Sequence, residues 1–461
     1  MNKAHALFLA IMMITVSLSG CFGENNYDSN SCSEGYANRP SIFYSFTAIG
    51  DTLYFQAYDD ANGYELWKSD GTTSGTVMVK DIRVGCYGSS PRLLTAIGDT
   101  FYFFAFGSNG SELWGSDGTE SGTMPIKHFL HEGTSGFLDN LIAVGNTLYF
   151  TAKVYDGIHG YALWKSDGTA NGTMMVKDFS TNSGHESIGN ILYFSADDGT
   201  HGRELWKSDG TVNGTVLVKD MNNGTNEGEP RELTAIGNTL YFQGNGTSGY
   251  ELWKSDGTAN GSMMIKDIWS GSSYGSPTSL TAVGDTLFFQ ANDGYNGTEL
   301  WKSDGTFNGT VMVKNINSGS GNSDPSYLTA VGNTLYFQAD DGINGVELWK
   351  SDGTASGTVM VKNINSGGDS IPQDLTVVGN TIFFRADDGI NGEQLWKSDG
   401  TSSGTALVKD INRICVESSF DSPCNREMVV VGETVYFQAT ANELWKSDGT
   451  ASGTVLVKDF S

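Results

Sequence analysis

Between Tyr327 and Ile364 the chain reads YLTAVGNTLYFQADDGINGVELWKSDGTASGTVMVKNI, four short apolar runs separated by turn residues. The runs YLTAV, TLYFQA, VELWKS and TVMVKNI have strand length, and Gly332-Asn333, DDGING and DGTASG between them carry turn chemistry. The pattern predicts a four-stranded antiparallel meander. No stretch shows apolar residues at helical spacing, which excludes a helical solenoid. In TLYFQA and TVMVKNI apolar residues occupy both parities, whereas a sheet with one wet face alternates apolar with polar. Both faces of the meander are therefore expected to be buried. Leu348 and Trp349 must point to opposite faces because side chains alternate along a strand. Each unit thus offers Leu to one neighbour and Trp to the other.

The unit repeats. Its Trp recurs at Trp67, Trp114, Trp164, Trp206, Trp253, Trp301, Trp349, Trp396 and Trp445, in steps of 42 to 50 residues, and only Trp269 stands outside the series. A period in that range marks a solenoid, propeller or array, and one core rarely grows past about 250 to 300 residues, so 461 residues imply stacked units. Links within a unit are short, while VKNI is followed by a longer Gly- and Ser-rich crossover such as NSGSGNSDPSY. A crossover of that length suits passage from the outer strand of one blade to the inner strand of the next. It places LTAVG, with its small Thr and Ala, on the central channel. The expected fold is all-β, a single propeller of nine four-stranded blades; an eight-bladed ring with one displaced unit is the alternative.

The phrase ELWKSDGT, with the GT pair and VKDI that follow, is similar to the ELWxxDGT repeat family of exported prokaryotic proteins, over roughly Tyr44 to Ser461. Departures are few: Gly115 for Lys, Ala162 and Gln394 for Glu, and Ser262 for Thr. The resemblance implies a repeat architecture and carries no biochemical activity with it. The repeated Asp of the phrase (Asp70, Asp117, Asp167, Asp209, Asp256, Asp304, Asp352, Asp399, Asp448) is expected to accept backbone amides and fix a turn. Nine equivalent carboxylates spaced around a ring suit scaffolding, whereas an active site needs one set in one place.

The first twenty residues change the picture of where the protein resides. Lys3 and His5 precede an apolar run from Ala6 to Leu18, the arrangement of a cleaved export signal. Leu18-Ser19-Gly20-Cys21 resembles the lipobox of prokaryotic lipoproteins, which would make Cys21 a lipidated anchor, with residues 21–43 a polar tether and 44–461 the propeller. The protein is then expected on the membrane, facing the extracellular or periplasmic side. Four further cysteines, Cys32, Cys86, Cys415 and Cys424, suit disulfides in an oxidising compartment. Three pairings are possible. Proximity favours Cys415 with Cys424 and Cys32 with Cys86, for which the chain-entropy treatment gives about 2.7 and about 4 kcal/mol.

Net charge is −26, yet the basic residues form no block. Of 27, eight are lysines directly after the repeated Trp and nine occupy the VK slots, so nucleic acid is not an expected partner. No cofactor motif is present. Structural calcium is conceivable at the DDGING turns (Asp340 to Gly345, Asp387 to Gly392), although the EF-hand spacing is not met. No GxSxG, HExxH or phosphate loop occurs. Mature histidines cluster between the second and fourth units: His128, His131, His159, His185 and His201. His185 is the odd one, replacing the Leu of LTAVG, and His185 with Glu186, beside His131 with Glu132, forms the best enzymatic candidate. Two functions follow. The first is a non-catalytic binding propeller for an extracellular polysaccharide or protein, with aromatics such as Trp269, Tyr274, Tyr87 and Tyr327 on the loop face. The second is a polysaccharide-active hydrolase or lyase in the His185 sector.

Overall fold

The structure is a computed structural model that describes residues 44–108, 110–129, 138–153, 160–271, 274–411, 427–440 and 442–461. The export signal, Cys21, Cys32, His131, Glu132, His159, Cys415 and Cys424 lie outside the described residues. No described helix is long and apolar enough to cross a membrane.

The described residues form nine sheets of four antiparallel strands, and in each the spatial order of strands follows the chain. In blade seven the strands are Ser326–Val331, Thr334–Asp340, Val346–Ser351 and Val359–Lys362. Inner strands meet around the axis: Tyr44–Ile49 packs on both Arg92–Ile97 and Met428–Val431, so the ring closes. All four strands of the first blade come from Tyr44–Lys80 and all four of the last from Met428–Asp459. Among the described residues no strand is exchanged between the ends, and closure rests on packing and on side-chain hydrogen bonds between the first and last blades.

The core is divided among the nine interfaces between blades. Leu300, Phe288 and Val313 of blade six meet Leu335, Phe337 and Trp349 of blade seven, whose Leu348 and Tyr336 in turn meet Phe384 and Trp396 of blade eight. Leu therefore faces the next blade and Trp the preceding one, as alternation along ELWKS requires. At the closing interface Phe55 and Trp67 of the first blade pack on Tyr436, Leu444 and Val457 of the last, and Phe460 sets its ring 5.0 Å from that of Trp67.

The turn after ELWKS is a hydrogen-bonded plug. Asp352 Oδ1 accepts from Thr354 N at 2.8 Å and from Thr354 Oγ1 at 2.7 Å, and Gly357 N donates back to Thr354 Oγ1 at 2.9 Å. These bonds hold the Asp352 carboxyl below the usual carboxylate range. Beneath, Ser351 Oγ and Thr358 Oγ1 lie 2.7 Å apart, and Gly353 N donates to Ser351 Oγ at 3.0 Å. Gly353 has φ +84°, and a Cβ on Gly357 would fall 2.0 Å from Asp352 Oδ1, so both positions exclude a side chain. The Asp-to-Thr bond recurs at Asp70, Asp117, Asp167, Asp209, Asp256, Asp304, Asp399 and Asp448. Replacing Ser351 by Ala orphans the buried Gly353 N–H, and a loss of about 1–3 kcal/mol is expected in urea unfolding; a midpoint equal to wild type would refute this role for the hydroxyl.

The lysines, evenly spread in sequence, are latches between blades. Lys302 Nζ donates to Gly353 O of the next blade at 2.8 Å, and Lys314 Nζ to Thr358 O at 2.8 Å while lying 5.7 Å above the Trp349 ring. The ring closes the same way, with Lys458 Nζ donating to Thr76 O at 3.0 Å and Thr73 Oγ1 to Val457 O at 2.8 Å.

Candidate functional site

Because every blade is a meander, the SDGT turns share one face of the ring with the short turns between inner strands and their partners. The opposite face gathers the DDGxNG turns and the long crossovers. The first face repeats the same bonded Asp turn in every blade and most of its lysines serve as latches, so the blades differ mainly on the second.

A buried glutamate builds that face. Glu299 of ELW is fully buried; Oε2 accepts from Ile316 N at 2.8 Å and Ser323 Oγ at 2.7 Å, and Oε1 from Asn317 N at 3.2 Å. All three donors belong to the crossover. Glu65, Glu204, Glu251 and Glu347 do the same work in their blades. Burial pushes the carboxyls of Glu65, Glu204, Glu251 and Glu299 up to about 7, and that of Glu347 in the same direction. In blade eight the position is natively neutral: Gln394 Oε1 accepts from Ile411 N at 3.0 Å.

The DDGxNG turns close on themselves. Asp341 Oδ1 accepts from Ile343 N at 3.0 Å and Asn344 N at 2.7 Å, while Oδ2 accepts from Asn344 Nδ2 at 2.7 Å. Asp388 is bonded alike. The oxygens weighed as calcium ligands are thus engaged by amides, and among the described residues no cluster of three His, Cys, Asp or Glu side chains could hold a metal.

At the mouth of the channel each inner strand from the first to the eighth opens on a bulge. In blade seven the register slips between Ser326 and Thr329, and Tyr327 has φ +54°. The equivalent residues are Ser45, Leu93, Asn140, Gly184, Glu232, Ser279 and Asp374, all at positive φ. This ring of unlike side chains stands directly before the near-constant LTAV. Ser45 Oγ accepts from Leu93 N at 3.3 Å and Glu232 Oε2 from Leu280 N at 3.2 Å, so some of them also staple neighbouring inner strands.

His185 occupies the Leu position of its inner strand, as the sequence suggests. Its Nδ1 lies 2.8 Å from Asn140 O, its ring packs edge-on to Phe194, and burial lowers it to about 4, so it is neutral at pH 7. Glu186 Oε1 accepts from Ser187 N, and no hydrogen bond joins the two side chains. His128 is engaged with Glu112 at 2.6 Å and His201 with Asp198 at 3.0 Å, so the described histidines do not converge. Arg385, at the Gln position of its blade, is fully buried between Asp374 and Glu393 as an ion triad.

A convergent set does occur elsewhere on the crossover face, in blade five. Arg231 Nη2 lies 2.6 Å from Glu229 Oε2, the Tyr250 hydroxyl donates to the same oxygen, and the guanidinium stands 5.4 Å over the Tyr250 ring. The neighbouring Glu229 carboxyl, through hydrogen bonding and like charge, raises Glu227 above the usual carboxylate range. Burial and Glu229 together push Tyr250 up to about 12, so its hydroxyl stays protonated and donating. The Tyr274 ring lies 5.5 Å from that of Tyr250, edge to face, and is 54% exposed. Tyr295, one blade on, is 82% exposed. Trp269 is half-buried and lies over the next blade's turn, where a Cβ on Gly294 would fall 2.5 Å from the indole nitrogen. One indole face is therefore used in packing.

Comparison with known proteins shows no family. No protein-family description and no curated sequence matches the chain. Among solved structures it is similar to the computationally designed Ika8 protein (15% identity, TM-score 0.44, covering 78% of this chain and 96% of that one). It is also similar to a puromycin hydrolase (14%, TM-score 0.42, 76% and 59%) and to the β-propeller domain of the Trilobed protease from Pyrococcus furiosus (10%, TM-score 0.37, 78% and 95%). The chain spans about half to three fifths of the length of the peptidases it matches.

Proposed function

We propose that this chain is an exported lipoprotein of the ELWxxDGT type, anchored through Cys21 and stapled by Cys32, Cys86, Cys415 and Cys424, whose propeller serves as a non-catalytic binding module for extracellular polysaccharide or protein. The observation that carries the reading is the division of the ring into two unlike faces. The turn face repeats one bonded Asp turn nine times, whereas the crossover face bears unlike bulge residues and the exposed rings of Tyr274 and Tyr295. Exposed aromatics on a rigid scaffold suit stacking on sugar rings or peptide side chains. The lipid anchor would place that face outside the membrane.

A second reading, a polysaccharide-active hydrolase or lyase, is favoured by the Glu227, Glu229, Arg231 and Tyr250 set. It moves the candidate chemistry from the His185 sector to blade five. The test scores retention and sugar release together on immobilised cell-surface and algal polysaccharides. Retention without release, weakened by Tyr274→Ala, is the expected result. Release that Glu229→Gln abolishes would replace the binding reading with the enzymatic one.

A further inference from the structure

The repeat supplies its own control for each position, and one position is missing a part. After the repeated Trp, eight blades carry lysine and blade two carries Gly115. Where the lysine is present its stem crosses to the next blade: Lys68, Lys207, Lys254, Lys302, Lys350 and Lys397 donate to the glycine carbonyl of the following SDGT turn at 2.7–2.9 Å. The same ammonium faces the Asp of that turn, as Lys68 faces Asp117 and Lys397 faces Asp448. Between blades two and three neither partner receives it. No lysine of the preceding blade bonds Gly168 O, and Asp167 is faced instead by Lys165 of its own blade.

The missing side chain leaves a groove of about 430 Å³, whose walls include Tyr102, Gly115, Asp117, Met124, Ile126 and Gly168. The second latch beside it is intact, since Lys127 Nζ donates to Thr173 O at 2.8 Å, so the interface is formed and the groove is not a gap between separated blades. Its apolar wall comprises the Tyr102 ring and Ile126, with Met124 59% exposed at the rim. Its polar end is formed by Gly168 and by Asp117, whose carboxylate is already faced by Lys68, and no lysine of blade two reaches the Gly168 carbonyl.

We infer that this groove binds a primary ammonium on an unbranched aliphatic stem, supplied either by a free diamine or by a lysine side chain of another protein. The ammonium takes the place that lysine fills at the equivalent interfaces, against Gly168 O and Asp167, and the methylenes lie along Tyr102 and Ile126. Desolvation of the stem and a charge-assisted hydrogen bond to a fixed carbonyl supply the recognition. The net charge of −26 draws cations generally, so the specific site is separated from the diffuse one by added salt and by the repeat itself.

The purified full-length chain is titrated by calorimetry in 0.3 M salt (an ionic strength with a Debye length of roughly 6 Å) with cadaverine, with Nα-acetyl-lysine methylamide, and with pentanol as the neutral stem. Binding of one equivalent of amine and none of pentanol is expected. Gly115→Lys fills the groove and weakens amine binding by at least about tenfold, since a Cβ there meets nothing closer than Ile126 Cδ1 at 3.1 Å. The reciprocal change, Lys302→Gly in blade six, opens an equivalent groove and adds a second equivalent. Tighter binding of cadaverine names a free diamine as the occupant, and tighter binding of the lysine derivative names a protein side chain. Absence of one-to-one binding, undiminished binding by folded Gly115→Lys, or no gain in Lys302→Gly would each overturn the assignment.

Discussion

Raising the pH from about 4.5 to above 7 is expected to destabilise the propeller, against the habit of proteins whose carboxylates are stabilised by folding. Burial raises Glu65, Glu204, Glu251 and Glu299 from 4.5 to about 7, so each holds its proton more tightly folded than unfolded. The stabilisation is complete below the unfolded value and is lost as pH rises through the folded value. A shift of that size corresponds to about 3 kcal/mol per residue between the two limits. The turn carboxylates act in a separate window. Asp352 and its equivalents are lowered from 3.8 by hydrogen bonds, so their contribution is present above that value and lost as pH falls below it. Stability should therefore peak near pH 4.5. Gln394 shows that a neutral amide fits the glutamate position. Glu299→Gln is expected to gain about 2 kcal/mol at pH 8, the avoided ionisation cost less a weakened bond to Ser323, and to change little at pH 4.5. Urea unfolding at the two pH values checks this, and a wild-type stability that climbs from pH 4.5 to 8 would contradict it.

The second large effect concerns closure. Trp349, inside the series of interfaces, and Trp67, at the junction of the chain's two ends, are 5% and 7% exposed. Truncating either to Ala should cost about 3–5 kcal/mol, because each empties a packed interface. Near-equality is the informative part. In an open array Trp67 would face solvent at a terminal unit, and its loss would cost far less than that of Trp349. Phe460, edge-on to Trp67, makes the same point from the C-terminal side.

Blade number, strand order and the opposite facing of Leu348 and Trp349 were legible in the sequence, because they follow from a period and a parity that each unit states by itself. Features that depend on a partner one blade away were not. Lys302 and Lys314 look like solvated charges until the next blade supplies Gly353 O and Thr358 O. Glu299 looks like the polar member of a strand, yet its donors stand 17 to 24 residues later, in a crossover without periodic signal. The bulge before LTAV was invisible because residues as different as Tyr327, Glu232 and Asp374 share its positive φ. Of the candidate site, the aromatics Trp269 and Tyr274 could be named from their departure from the repeat. Their surroundings could not: Trp269 lies over Gly294, and Tyr274 borders Tyr250, which in turn meets Glu229 and Arg231 from another part of the chain.

In the proposed function the repeated phrase builds the wall and the crossover face recognises the extracellular polysaccharide or protein. The most direct test measures thermal stability and polysaccharide retention on the same two variants, Asp352→Ala on the turn face and Tyr274→Ala on the crossover face. Asp352→Ala is expected to lower the melting temperature and leave retention unchanged, and Tyr274→Ala to weaken retention at an unchanged melting temperature. Loss of retention in a stably folded Asp352→Ala, with Tyr274→Ala indistinguishable from wild type, would place recognition on the repeated turns and contradict it.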